Sequence, residues 1–144
     1  MALIGGGGAG NVAGGNPAGI GTSLNIIGDY AYCYTGNHAA NTTAVEAMRF
    51  TTGNYIFKGT LQVNMASQNA DAGASTAIAI GETELNGSII SHIHAGNAGA
   101  DSLTAVDQPL LIAPYTEVIV KLYSNESEAA RFMTATLTGR IYNA

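Results

Sequence analysis

The stretch YIFKGTLQVNM, residues 55–65, alternates between apolar and polar side chains. Most of the apolar residues share one parity and the polar ones share the other: Tyr55, Phe57, Leu61, Val63 and Met65 against Lys58, Thr60, Gln62 and Asn64. Successive side chains of a β-strand point to opposite faces, so this pattern predicts a strand with one face in a core and one in water. Antiparallel sheets permit that arrangement, whereas parallel sheets are covered on both faces. The stretch therefore predicts an antiparallel, all-β fold.

The same alternation returns later in the sequence, in residues 117–123 and 133–141. Turn signals separate such runs, because Asn86-Gly87 is typical of a two-residue hairpin and Pro109 and Pro114 bracket a short apolar run. About eight strands at this spacing indicate an antiparallel β-sandwich, and a single jelly roll fits best. We predict strands near residues 24–35, 45–51, 54–66, 75–81, 83–85 with 88–94, 109–112, 115–124 and 131–142.

Two alternatives to this assignment remain open. Residues 43–50 and 127–131 each have a plausible N-cap and are compatible with short helices. An immunoglobulin-like sandwich is the competing topology, but the sequence has no Trp and only one cysteine, so the buried Trp and the cysteine pair of that fold are missing.

The beginning of the sequence differs in composition from the rest. Nine of the 19 glycines precede Thr22, and no charged side chain precedes Asp29. Such a segment has no repeating apolar face to bury. We predict a glycine-rich extended arm over residues 1–22, either flexible or ordered on assembly, followed by one jelly-roll domain over residues 23–144.

Charged residues make up only 10% of the chain, against about 25% in ordinary soluble domains. Neighbouring subunits can therefore cover much of the surface without burying charges. The net charge is −5 and the five cations are scattered, which argues against nucleic-acid binding. No apolar run reaches the roughly 18 residues of a membrane span, and we see no secretory signal.

Two motifs have ordinary explanations. The segment GGGGAG, residues 5–10, matches the dinucleotide fingerprint G-x-G-x-x-G, but only four residues precede it and glycine-rich sequence follows it. That fingerprint requires a strand before it and a helix after it, so we reject a nucleotide site. Cys33 is the one cysteine and lies in an apolar run, which predicts a small buried hydrophobic residue.

His92 and His94 are the candidate metal ligands. Residues two apart on a strand point to the same face, so both imidazoles could reach one ion. A third ligand would have to come from His38, a carboxylate or another subunit. The alternative is that both histidines alternate with buried Ile89 and Ile93 and face solvent or an interface. We expect no metal and no cofactor.

Two carboxylate pairs, Glu82 with Glu84 and Glu126 with Glu128, are spaced two residues apart. Glycosidase chemistry needs carboxylates that face each other across a substrate, at roughly 5–9.5 Å. Adjacent carboxylates in turn segments instead make a loop soluble. No nucleophile elbow or zinc-protease helix motif is present either. We therefore predict no catalytic residue and no enzymatic activity.

Tyr30, Tyr32 and Tyr34 share one parity of the first predicted strand, together with Leu24 and Ile26. Tyrosine is favoured at protein interfaces, where the ring packs and the hydroxyl finds a partner. We predict that these tyrosines serve core or inter-subunit packing. A sugar-stacking platform is the alternative.

Several segments together carry a resemblance to a known group of proteins. They are GNPAG (15–19), LNIIGDYAY (24–32), FTTGNYI (50–56), PLLIAPYTEV (109–118) and TLTGRIY (136–142). In style and order these segments resemble the small single jelly-roll capsid-associated proteins of viruses, including bacteriophages, such as cement or decoration subunits. The resemblance implies a jelly roll, a homo-oligomer (commonly a trimer), and a place in the virion, assembled in the host cytoplasm.

Three hypotheses about function follow. The first is a non-enzymatic virion structural protein, a cement, decoration or minor capsid subunit that binds a major capsid protein. The second is a ligand-binding β-sandwich, either a carbohydrate-binding module or a receptor-binding domain in the style of C1q and tumour necrosis factor. The third, a small enzyme of the cupin kind, requires a metal cluster.

Overall fold

A computed structural model describes residues 23–67, 78–95 and 103–143, so the predicted arm over residues 1–22 lies outside the described residues. The described part is all-β and contains ten strands. No helix in it is long and apolar enough to cross a membrane. The strands are β1 (Asn25–Ile27), β2 (Tyr30–Tyr34), β3 (His38–Ala40), β4 (Val45–Thr51), β5 (Tyr55–Ser67), β6 (Ala79–Leu85), β7 (Ser88–Ala95), β8 (Leu103–Ile112), β9 (Glu117–Ser124) and β10 (Glu128–Asn143).

The strands form two antiparallel sheets that pack as a sandwich. The first sheet has the order β1-β2-β10-β5-β8. Strand β3 pairs with the beginning of β10, on the same side as β2, which pairs with a later part of β10. The second sheet has the order β4-β9-β6-β7. If β2 and β3 are taken as one position, the orders β2/β3-β10-β5-β8 and β4-β9-β6-β7 are those of the two four-stranded sheets of a jelly roll, and β1 is an additional strand at the edge of the first sheet. The predicted antiparallel jelly-roll sandwich is confirmed.

The core lies between the sheets and follows the predicted alternation. On β5 the residues Phe57, Leu61, Val63 and Met65 are fully buried, while Tyr55 at the start of the strand is only partly buried. The inward residues of β9 and β10 meet them: Val118, Val120 and Leu122 from β9, and Met133, Ala135 and Leu137 from β10.

The first predicted strand, over residues 24–35, is in fact a hairpin. Gly28 has φ +62, a left-handed conformation that glycine adopts without strain, and the turn there pairs β1 with β2. Ile26 lies opposite Ala31, and both face the core side. The prediction that Leu24 and Ile26 share a face with the tyrosines is therefore wrong, because the turn shifts the parity.

The two helical alternatives are also wrong. Residues 45–51 form β4, which pairs with β9, and β10 begins at Glu128. Cross-strand pairing overrides the local helix signal in both segments. The strand predicted over residues 109–112 runs instead from Leu103, along the whole of β5. Pro109 is tolerated within it because β8 is an edge strand, which is hydrogen-bonded on one side only.

A pair of glycines lies at the centre of the first sheet. Gly59 on β5 and Gly139 on β10 are directly opposite each other, and the ring of the fully buried Phe57 lies over both. A Cβ atom on Gly139 would lie 2.5 Å from the Cα of Gly59 and 2.8 Å from Cζ of Phe57. The two strands and this ring can pack so closely only because neither position carries a side chain.

Candidate functional site

The three tyrosines of β2 line a depression on the outer face of the first sheet. Tyr30 and Tyr34 are 54% and 51% exposed, and Tyr32 is half-buried. Strand β10 pairs with β2 here and supplies the rest of the wall and floor, through Thr138, Gly139 and Arg140. The depression has a volume of about 400 Å³ and is open to solvent. We call it the tyrosine depression.

Contacts within the tyrosine depression hold its rings in place. The guanidinium carbon of Arg140 lies 4.5 Å from the centre of the Tyr30 ring, a cation–π contact, and its Nη2 donates a hydrogen bond to the Tyr30 hydroxyl. That hydrogen bond raises the pKa of Arg140, so the guanidinium stays charged. Nη1 of the same side chain lies 3.6 Å from a carboxylate oxygen of Asp29. The rings of Tyr32 and Tyr34 lie 5.2 Å apart, tilted by 41°.

The sequence predicted part of this site. Tyr30, Tyr32 and Tyr34 share one face as expected, and that face is the outer one, so they do not pack in the core of their own chain. Thr138 and Arg140 were not predicted as site residues. They lie more than 100 positions from β2 in the sequence, and only the pairing of β2 with β10 brings them there.

A second exposed feature lies at one end of the sandwich. The described part has eight exposed large apolar side chains, of which Tyr30 and Tyr34 line the depression. The other six, 44% to 70% exposed, lie near the end of the sandwich that carries the β1–β2, β4–β5, β6–β7 and β8–β9 turns, one on the β8–β9 turn and five near strand ends. We call this surface the apolar tip; it consists of Ile27, Ile89, Ile90, Leu111, Tyr115 and Tyr142.

Hydrogen bonds between the turns make the apolar tip a fixed structure. Buried Thr52 donates its hydroxyl to the carbonyl oxygen of Ala113 at 2.7 Å and accepts from the amide of Thr116 at 2.8 Å. Tyr115 has φ +55, which is strained for a bulky residue, and its amide donates to the Gly53 carbonyl oxygen at 3.1 Å. The surrounding turns therefore hold Tyr115 in an outward-facing position.

The β6–β7 turn at the tip confirms the predicted hairpin. Asn86 and Gly87 have φ values of 50 and 83, the two positive angles that a type I′ turn requires. The Asn86 amide donates to the carbonyl oxygen of Glu117 at 2.9 Å, and its side-chain oxygen accepts from the Glu117 amide at 3.0 Å. The hairpin is thereby tied to the beginning of β9.

The outer face of the second sheet carries charged side chains that form ion pairs. Arg49 bridges Glu46 at 2.7 Å and Glu117 at 2.8 Å, and Lys121 bonds Glu84 at 2.8 Å. The hydrogen bond from Arg49 lowers the pKa of Glu46, and the hydrogen bond from Lys121 lowers the pKa of Glu84. These groups remain in contact with water, where such pairs contribute little to stability.

His92 and His94 lie on the same face of β7, as their spacing predicts, and both are exposed. His92 Nε2 lies 2.9 Å from a carboxylate oxygen of Glu82. His38 lies on β3, in the other sheet. Within residues 23–67, 78–95 and 103–143, no group of three His, Cys, Asp or Glu residues is placed to hold a metal ion.

Two predictions about the neighbours of His92 and His94 are wrong. Ile89 is 57% exposed rather than buried, because a register shift in the β6–β7 pairing turns it to the outer face, opposite Glu84. Glu82 and Glu84 belong to strand β6 rather than to a turn, and each has a basic partner across the sheet. Neither carboxylate faces its neighbour across a cleft.

Cys33 lies on the inner face of β2 and is fully buried. Burial raises the pKa of its thiol to about 12, because the thiolate would lose its hydration there. The predicted role as a small hydrophobic core residue agrees with this position.

Comparison with known proteins finds distant likeness to solved structures. No protein-family model matches the chain, and no curated protein matches its sequence. Among solved structures, the chain is similar to the C-terminal domain of EclA, described as a sugar-binding protein. The two share 15% identity, with 85% of this chain and 86% of that chain covered and a TM-score of 0.40.

Proposed function

We propose that the protein is a non-enzymatic structural subunit of a virion, of the cement or decoration kind, that attaches to and stabilises an icosahedral shell. The apolar tip carries this proposal. Six of the eight exposed large apolar side chains in the described part occupy one end of the sandwich, on the β8–β9 turn and on strand ends beside turns that hydrogen bonds hold in place.

The chemistry of the apolar tip suits a protein partner. Its side chains are Ile, Leu and Tyr, and exposed apolar side chains grouped at one end of a domain suit contact with a partner. Tyrosine is enriched in the centres of interfaces, and Tyr115 and Tyr142 supply it here. Because the turns are already fixed, docking would lose little conformational entropy at this end.

The charged second sheet supports an end-on orientation. The Arg49 and Lys121 pairs would lose their hydration if a partner covered them, and buried ion pairs seldom recover that cost. A subunit that docks through its tip leaves this face in water. We propose that the major capsid protein contacts the tip and that the second sheet stays exposed.

Self-association belongs to the same proposal. The low charge of the chain permits close packing of identical copies, and we propose a homo-oligomer, with a trimer favoured. Native mass spectrometry of the full chain tests this directly. A trimer supports the proposal, and a monomer at all protein concentrations contradicts it.

Electron microscopy of material isolated under native conditions tests the assignment to a virion. Icosahedral particles that carry the protein support it. Isolated copies, or another kind of ordered assembly, contradict it.

Variants then test the role of the tip. Particles stripped of the protein are refilled with wild type, Leu111→Asp or Tyr115→Ser. We expect each variant to bind at least tenfold more weakly, since anchor residues at interface centres commonly contribute that much. Tyr34→Ser is the matched control, because Tyr34 is equally accessible but lies outside the tip. Undiminished refilling by both tip variants would show that another surface makes the attachment.

A further inference from the structure

We propose that the tyrosine depression is a saccharide-binding site, which accepts one pyranose ring of a glycan. This inference does not rest on the shell function, because it uses a different surface of the domain. The depression is lined by residues 30–34 of β2 and 138–140 of β10, and no residue of the apolar tip is among them.

The size of the depression points to a small ligand. Its volume of about 400 Å³ lies near the lower end of the range of roughly 300–1,000 Å³ for small-molecule sites. The floor includes the β-sheet backbone at Ala31 and Gly139, between the outward-facing side chains of β2 and β10. A macromolecular interface would use a larger surface, of roughly 800 Å² on each partner.

The lining matches both kinds of surface that a pyranose presents. One face of the sugar ring carries C–H groups and packs against aromatic rings, and the ring edge carries hydroxyl groups. Tyrosine offers an apolar ring with a polar hydroxyl at its tip, and three such side chains surround the depression. Thr138 adds a hydroxyl that can donate and accept hydrogen bonds. Arg140 is the charged residue that lines the depression, so the lining carries a positive charge.

Arg140 positions the ring of Tyr30 and also offers hydrogen-bond donors to a ligand. Its contacts with the ring and hydroxyl of Tyr30 fix one wall of the depression. The guanidinium has five N–H groups; one is used in the hydrogen bond to Tyr30, and Asp29 is an ion-pair partner at 3.6 Å. The remaining donors can reach neighbouring hydroxyls of a sugar, a pattern that suits the planar geometry of the group.

The tyrosine depression combines aromatic rings with polar groups, which a purely apolar surface lacks. The tilted rings of Tyr32 and Tyr34 present stacking surfaces at two angles, beside polar groups that are already oriented. Because the depression is open, we expect weak binding, with dissociation constants in the millimolar range for single sugars and tighter values for oligosaccharides.

The test uses the full chain in NMR titrations with methyl hexopyranosides of glucose, galactose, mannose, fucose and N-acetylglucosamine. Binding of at least one of them, with shifts of resonances on β2 and β10, supports the proposal. Tyr32→Ala and Tyr34→Ala should each weaken that binding at least fivefold, and Arg140→Gln should do the same. Both tyrosines are partly exposed, so these variants should fold; unchanged thermal midpoints verify this.

Tyr115→Ala is the matched control, since it removes an equally exposed tyrosine from the apolar tip. It should leave saccharide binding unchanged while it weakens shell attachment. The proposal is overturned if none of the sugars binds below about 50 mM. It is also overturned if a bound sugar keeps its affinity in both tyrosine variants. Either result leaves the tip, and the function proposed for it, untouched.

Discussion

Substitution of Gly139 by alanine probes the close approach of β5 and β10 in the first sheet. The new Cβ would lie 2.5 Å from the Cα of Gly59 and 2.8 Å from Cζ of Phe57, and nearer still to the carbonyl oxygen of Lys58. Two of these three contacts are with backbone, which cannot rotate away. The methyl group therefore requires β5 and β10 to separate at the centre of the first sheet.

The expected loss follows from that geometry. Overpacking in a core costs typically about 1–3 kcal/mol, and contacts with backbone place Gly139→Ala at the upper end, about 3 kcal/mol. That is a large fraction of the roughly 5–15 kcal/mol that stabilises most domains. For a domain of this length it corresponds to a fall of the thermal midpoint by roughly 10 °C.

Urea denaturation, followed by far-ultraviolet circular dichroism and tyrosine fluorescence, measures the change in the free energy of unfolding. Gly36→Ala is the matched control: Gly36 has φ +74 but open space around its Cα, so only the backbone conformation opposes the substitution, at about 1 kcal/mol. Should Gly139→Ala prove no more destabilising than Gly36→Ala, the steric reasoning is refuted. Adding Phe57→Leu to Gly139→Ala tests the ring contact alone, and a double-mutant cycle should show coupling that offsets only part of the loss.

Three further predictions concern the tip, the charged face and the arm. Thr52→Val keeps the shape but leaves the Thr116 amide without its acceptor, so we expect a loss of about 1–3 kcal/mol in urea denaturation; a change below about 0.5 kcal/mol would contradict the hydrogen-bond assignment. The pKa values of Glu46 and Glu84 are lowered from 4.5 in the folded state, so the unfolded chain binds protons first as the pH falls. These groups therefore contribute a constant stabilisation at neutral pH that is lost as the pH falls below about 4.5, and replacing both by glutamine should flatten that part of the pH profile. Deletion of residues 1–21 should leave a folded β domain by circular dichroism and weaken shell attachment; wild-type occupancy by the deletion variant would exclude a role for the arm.

Much of the fold could be predicted from local sequence. The alternation in residues 55–65 and 133–141 gave the strands and their inward faces, because one side of each strand meets the core. Asn86-Gly87 indicated the hairpin, because both positions need positive φ. The errors arose where one residue changes the parity: the turn at Gly28 and the register shift beside Ile89. Neither the turn nor the register shift changes the amino-acid composition enough to be recognised in a short stretch of sequence.

The two candidate sites were harder to predict because topology assembles them. Tyr30 and Arg140 are 110 residues apart in sequence, and their contact depends on β2 pairing with the last strand. The apolar tip draws single side chains from several turns and strand ends, such as Ile27, Leu111 and Tyr115. Each of them looks unremarkable in its own segment, and only the jelly-roll order of the strands brings them together.

The buried thiol of Cys33 can report local opening of the wild-type chain around β2. It is the one cysteine in the sequence, and a thiol reagent can reach it only when β2 leaves the core. The labelling rate in native buffer therefore measures how often that strand detaches, without any engineered probe. A ligand that binds only the closed form slows labelling by the factor 1 + [L]/Kd, so the same experiment yields affinities for sugars or shells.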